Sequence, residues 1–179
     1  MEDPAAEIRG VVRSLSESIY GKTVAENVEK YFTNDAFVLH PFINQPSLVR
    51  GREGVKGIYK FFRVVTIHNA ITFHAVMFNE NKTQGAIELT ERFQLRLIPP
   101  PFRITFSCHF IIRVDLRLEK DGRYRIWRQD DNVINDLHRS GLGIFLPGSS
   151  FISDIIKGVT GFILIIIGRF LLATGWIWP

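Results

Sequence analysis

The sequence has little sulfur and almost no cysteine. One cysteine, Cys108, and two methionines stand among 179 residues. A single thiol excludes an internal disulfide and any paired-cysteine redox or zinc motif, and it agrees with a reducing compartment. Also missing are a glycine-rich phosphate loop, a G-x-S-x-G elbow and a metal-binding histidine pair. The five histidines, His40, His68, His74, His109 and His138, show no i, i+4 spacing. Neither a metal nor a cofactor is therefore expected. Charge is modest at +4, without a basic cluster or a recognised motif, which argues against nucleic acid. The N-terminal MEDPAAEIRG has no basic start and no apolar run, so no secretory signal is expected.

What the sequence does contain is a long apolar C-terminus, IIKGVTGFILIIIGRFLLATGWIWP, from Ile155 to Pro179. Thirteen Ile, Leu, Val or Phe residues fall between Ile155 and Trp178. Each favours lipid by about 0.3–0.6 kcal/mol at the bilayer centre, against about 2.5–3.5 for one arginine. The sum predicts membrane association despite Arg169. On a helix the charges and glycines, including Gly158, Gly161, Gly168, Arg169 and Gly175, gather on one arc. Ile155, Phe162, Ile166, Phe170, Trp176 and Trp178 are the expected lipid contacts, with the tryptophans at the interface. Three geometries fit: a span, a helix lying in the interface, or a re-entrant hairpin. The soluble part is then expected on the cytosolic face of an intracellular membrane: endoplasmic reticulum, lipid droplet or mitochondrial outer membrane. The glycine stripe at every seventh residue also offers a close helix–helix contact, and so a homodimer.

Residues 1–138 read as one domain, 139–150 as a Gly/Ser/Pro linker and 151–179 as the tail. Asp3-Pro4 starts a helix that spaces Ile8, Val11, Val12 and Leu15 on one side and ends before Gly21. Thr23 and Glu26 form a capping box that opens a second helix. An extended piece from Ala36 to Phe42 precedes a third helix, Arg52 to Val65, with Val55, Ile58, Phe61, Phe62 and Val65 as its stripe. The period then becomes two. Ala70–Asn79, Gly85–Ile98, Arg103–Glu119 and Arg123–Val133 predict strands, with Asp121-Gly122 as a hairpin turn. Arginines 92, 96, 113, 117, 123 and 125 alternate with apolar residues, as on a solvated sheet face, which could serve a dimer or anionic lipid. Helices followed by antiparallel strands predict an α+β domain with helices on one face of a curved sheet.

The stretches YFTNDAFVLHPF, KGIYKFFRVV and RYRIWRQDDNVIND resemble the nuclear transport factor 2-like fold, also called the SnoaL-like or cystatin-like cone. In particular they resemble its fungal SigF-like branch. Phe32, Asp35, Ala36, His40 and Pro41 match one motif, with Val38 where the pattern has an aromatic residue. Gln129, Asp130 and Asp131 match another. The resemblance implies a conical pocket between sheet and helices, and it turns His40 towards the pocket mouth. It implies no particular reaction, because the fold carries enzymes, binding modules and scaffolds.

Glu91 is the most pointed candidate for chemistry. It shares the apolar face of its strand with Ile87, Leu89, Phe93 and Leu95, where a carboxyl must be neutral, paired or functional. Asp130 and Asp131 are adjacent and point to opposite faces, so only one of them can enter the pocket; the alternative is a salt bridge or loop cap. His109 is expected on the surface or at a dimer face, and Cys108 as a small buried residue. Fifteen phenylalanines predict a dense aromatic core or an apolar cavity, with Phe62, Phe93, Phe110 and Trp127 as ligand contacts. Three functions compete: a membrane-attached domain binding a hydrophobic small molecule (lipid, sterol or polyketide-like); a cofactor-free cyclase, isomerase or dehydratase using Glu91, Asp130 and Asp131; and a non-catalytic dimerising or targeting module.

Overall fold

A computed structural model of the protein describes residues 1–41, 43–133 and 148–174, with backbone alone at 43–44, 149–150 and 168–174. Helix α1 (Pro4–Ser16) begins where Asp3 accepts from Ala5 N at 3.2 Å, and it buries Ile8, Val11, Val12 and Leu15. Helix α2 (Gly21–Tyr31) departs from expectation. It starts at Gly21 and has no side-chain cap, so Thr23 lies inside its first turn. The carbonyl of Tyr20 accepts from Val24 N at 3.1 Å, and full burial of Val24 fixes that earlier start. Glu26 instead meets Lys22 at 4.0 Å on the surface, a contact of small energy.

Strand β1 (Phe32–His40) follows α2 without a loop. A two-residue strand, β2 (Ile43–Asn44), leads to helix α3 (Arg52–Val65). The intervening loop is held by buried Gln45, which accepts from Val38 N at 3.0 Å and donates to Val49 O at 2.6 Å. Gly54 is required there, because a Cβ would lie 2.1 Å from Val49 O. Four strands complete the fold: β3 (Thr66–Phe78), β4 (Gln84–Leu95), β5 (Thr105–Leu118) and β6 (Tyr124–Val133). The sheet order is β2-β1-β6-β5-β4-β3, antiparallel except for β1 beside β6.

The expected strands from Ala70 onwards are present with shifted ends. β3 starts four residues early because a bulge between Ile67 and Ala70 keeps it paired with β4. His68 absorbs that bulge with φ 55°. The turn after Asn79 is closed by its own side chain, which accepts from Thr83 N and Gln84 N at 2.9 and 3.0 Å. Gly122, at φ 74°, makes the β5–β6 hairpin as expected.

Helices α1, α2 and α3 cover one face of the curved sheet. Between them lies a core of Ile8, Val28, Phe32, Val55, Ile87, Leu89 and Ile126, each at most 2 % exposed. Helix α4 (Ser149–Thr174) contains most of the apolar tail. Every Ile, Leu, Val and Phe from Phe151 to Ile167 is 47–66 % exposed, on all sides of the helix. Among the described residues, no helix is long and apolar enough to cross a membrane. The backbone of Arg169 and Phe170 belongs to α4. Trp176 and Trp178 lie outside the described residues, as do His138 and most of the 139–150 linker. The linker's last residues, Ser149 and Ser150, are already helical.

Candidate functional site

The helix-covered face of the sheet is not fully packed. It encloses a cavity of about 570 Å³, within the usual size of ligand pockets. Its wall is mostly Ile, Leu, Val and Phe, interrupted by polar side chains that include His40, Tyr59, Arg63, Asn69, Glu91, Gln129 and Asp131.

Glu91 sits in mid-β4, paired with Cys108 of β5 and Ile71 of β3. The period of two points it inward with Leu89 and Phe93, as expected. Asn69 Nδ2 donates to its Oε1 at 2.8 Å. No Lys, Arg or His among the described residues lies within ion-pair distance of it. Burial pushes its carboxyl up, opposed in part by the Asn69 bond and the Arg63 guanidinium. Asn69 owes its direction to the β3 bulge. Inward parity passes from Thr66 to Asn69 and Ile71 there, so an alternating pattern that begins at Ala70 leaves Asn69 out.

On β6, Asp131 reaches the same cavity. Tyr59 Oη donates to Gln129 Oε1 at 2.8 Å, and Gln129 Nε2 donates to Asp131 Oδ1 at 2.9 Å. This chain fixes one carboxyl oxygen of Asp131 and leaves the other to the cavity. Burial, and then the negative charge of Glu91, push Asp131 up to about 7 against the Gln129 bond. Tyr59 is pushed up too, first by burial and then by Asp131. Its position was readable from the helical period, four residues after Val55 and three before Phe62. Cys108 is pushed up to about 11, chiefly by burial, which makes it a poor nucleophile. His40 is held down to about 4 by burial, so its ring is neutral where it meets Phe62 and Phe110 at 5.3 and 5.9 Å.

The cavity therefore brings together Glu91, Asp131, His40, Phe62, Phe93 and Phe110. It does not include Asp130 or Trp127. Asp130 accepts from Arg128 at 2.8 Å on the other face. Trp127 packs edge-on to Phe37 at 6.0 Å, under the Arg117 guanidinium. Simple alternation puts Trp127 on the side of Gln129 and Asp131. The structure separates them because Leu116 pairs with Ile126 and Asp115 with Arg128, leaving Trp127 as the extra residue of a bulge. Ile126, Gln129 and Asp131 then all face inward.

The outer sheet face is built differently. His109 is buried there and bonds Glu88 at 2.9 Å, with the His74 ring 5.0 Å away. Asp115 meets Arg113 and Arg128, and Asp35 meets Arg117. Among the described residues no group of His, Cys, Asp and Glu is placed to hold a metal ion.

Known structures share this architecture. A nuclear transport factor 2-like superfamily protein from Salmonella enterica serovar Typhimurium aligns over 74% of this chain and 92% of its own, at 12% identity and TM-score 0.55. A ketosteroid isomerase-like hypothetical protein from Catenulispora acidiphila, in complex with trimethylamine, aligns over 73% and 92%, at 15% identity and TM-score 0.53. A putative polyketide cyclase from Xanthomonas campestris aligns over 72% and 91%, at 12% identity and TM-score 0.51. Identities this low show the shared fold alone. No curated protein matches the sequence. The profile of the SigF NTF2-like domain matches residues 1–176, and the chain belongs to that family.

Proposed function

We propose that this domain binds an apolar small molecule (lipid, sterol or polyketide-like) in the cavity, while α4 holds it on the cytosolic face of an intracellular membrane. The open, apolar-walled cavity carries the reading. A wall of hydrocarbon interrupted by a few fixed polar groups suits a ligand with one or two oxygens on a hydrophobic frame. The all-round apolar exposure of α4 supports attachment, since such a helix needs an apolar surrounding. Native mass spectrometry of protein purified from its host should show an apolar ligand, and the bulky Ile112→Trp substitution in the wall should remove it. Protein that is ligand-free and takes up no sterol or fatty acyl probe would sink the idea.

A second reading is favoured by one observation: two carboxyls that form no ion pair among the described residues face one cavity. In it the domain is a cofactor-free cyclase, isomerase or dehydratase. Asp131, poised near neutrality, would donate a proton through its free oxygen to a developing oxyanion or leaving hydroxyl. The ionised fraction of Glu91 would accept a proton from carbon. Retained ligand binding with lost turnover in Asp131→Asn and Glu91→Gln would establish it. Unaltered turnover in both would leave the binding reading alone.

A further inference from the structure

At the α3 end of the cavity three chain segments meet, and each exposes large apolar side chains. They are Ile19 and Tyr20 before α2, Phe61 and Val64 at the end of α3, and Leu97, Phe102 and Ile104 between β4 and β5, all 54–88 % exposed. Hydrogen bonds join them. Arg63 Nη1 donates to Ser18 O at 3.4 Å, Arg96 N to Val65 O and Arg96 Nε to Val64 O, both at 2.9 Å. Phe61 also lines the cavity, so this patch is the rim of its mouth.

In two of the three segments the charge has one sign, and Glu17, beside the first, is engaged inward by Ile71 N at 2.8 Å. The sequence has no Asp or Glu from Gly54 to Asn79, nor from Arg92 to Val114. Those stretches contribute Lys60, Arg63, Arg96 and Arg103 to the rim. Among the described residues no carboxylate pairs with them. The opposite end of the sheet carries acids and bases together, with Asp121 bound to Arg125 and Asp3 to Lys82.

We infer that this rim docks onto an anionic bilayer surface, its apolar side chains entering the interface and its basic ones meeting lipid headgroups, so that the cavity opens towards the membrane. Exposed hydrocarbon ringed by unpaired cations fits lipid better than a protein partner, because only the bilayer offers both an apolar layer and dense negative charge. The inference deepens the proposed function and rests on it for the choice of partner. It is separate from α4, which would tether the chain without setting its orientation.

The test uses the full-length protein with a nitroxide at Leu97→Cys or Phe102→Cys, and at Lys120→Cys on the opposite hairpin. Cys108 is buried and stays unlabelled. On phosphatidylcholine–phosphatidylserine vesicles the rim labels should gain oxygen contact and lose contact with an aqueous nickel complex, while the Lys120 position stays in water. Lys60→Gln should weaken partition roughly five-fold on these vesicles and leave phosphatidylcholine vesicles unaffected. Bound protein with every label in water would overturn the rim and spare α4. No vesicle binding would overturn both and spare the cavity ligand. Rim labels already shielded before vesicles are added would mean a covering protein segment, and would also overturn it.

Discussion

The two faces of one sheet treat the same side chain in opposite ways. On the outer face Asp35, Asp115 and Asp130 each stand beside an arginine, and Glu88 beside His109. On the cavity face Glu91 and Asp131 have only the amides of Asn69 and Gln129. Ionised acids are cheap outside, where a cation and water share the charge. Inside they are costly, and both carboxyls shift towards the neutral form. A chain selected only for stability has little reason to keep two such acids in a hydrocarbon wall. Their presence supports the proposal that the cavity face handles ligand, whether by hydrogen bond or by proton transfer.

The contrast is tested most severely by chemistry. If the cavity turns a substrate over, Asp131→Asn or Glu91→Gln should slow it by about 10²–10⁴-fold, measured as turnover of the ligand recovered from the protein. Asp130→Asn, one residue away but on the outer face, should change the rate less than about ten-fold. Equal losses from Asp130 and Asp131 would break the distinction between the faces.

Stability against pH gives the next largest effect. Folding raises Asp131 from 3.8 to about 7, so between these values the folded chain binds more protons than the unfolded one. Stability must then fall as pH rises through that window. His40 works the other way. Folding lowers it from 6.5 to about 4, the unfolded chain binds the extra proton, and stability rises with pH. The two slopes oppose each other between about pH 4 and 6.5, and the upward shift of Glu91 adds to the falling one. Asp131→Asn keeps an acceptor for Gln129. It should unmask the rising slope and gain as much as about 4 kcal/mol above pH 7. His40→Phe should unmask the falling slope, with a difference of about 3 kcal/mol or less. Urea midpoints across the pH range read both; parallel curves for all three proteins would refute the assignment.

These predictions depend on which residues face inward, and the sequence was informative only where the strands are regular. Alternation along Gly85 to Leu95 placed Glu91 on the cavity face, because that stretch pairs with β5 without interruption. It failed at Trp127 and gave no role to Asn69, since a single extra residue in β6 or β3 inverts the parity and alternation leaves no trace of it. Choosing between Asp130 and Asp131 needed the bulge beside Leu116. The aromatic wealth of the chain was compatible with a filled core or a cavity. Packing decides between these, because the volume left depends on how the α3 side chains meet the sheet. The tail composition points to lipid, and α4 exposes its apolar residues from Phe151 to Ile167 on every side.

The smallest expected effect lies on the outer face, and its smallness matters to the contrast. Glu88 is 39 % exposed and bonds His109 at 2.9 Å. Glu88→Gln keeps an oxygen at that place, so the bond to the imidazole survives and only a solvent-screened charge is lost. The expected cost is about 0.5–1 kcal/mol, read as a lowered urea midpoint at neutral pH with an unchanged slope. Glu91→Gln makes the same chemical change on the cavity face of β4, three residues further along the strand. It should raise the midpoint, because the charge it removes is one that the cavity wall does not solvate. Opposite signs for two isosteric substitutions three residues apart on one strand would tie the difference to the face each side chain occupies. The same sign for both would mean that burial at Glu91 is relieved by water within the cavity, and that the acid is ionised there at neutral pH.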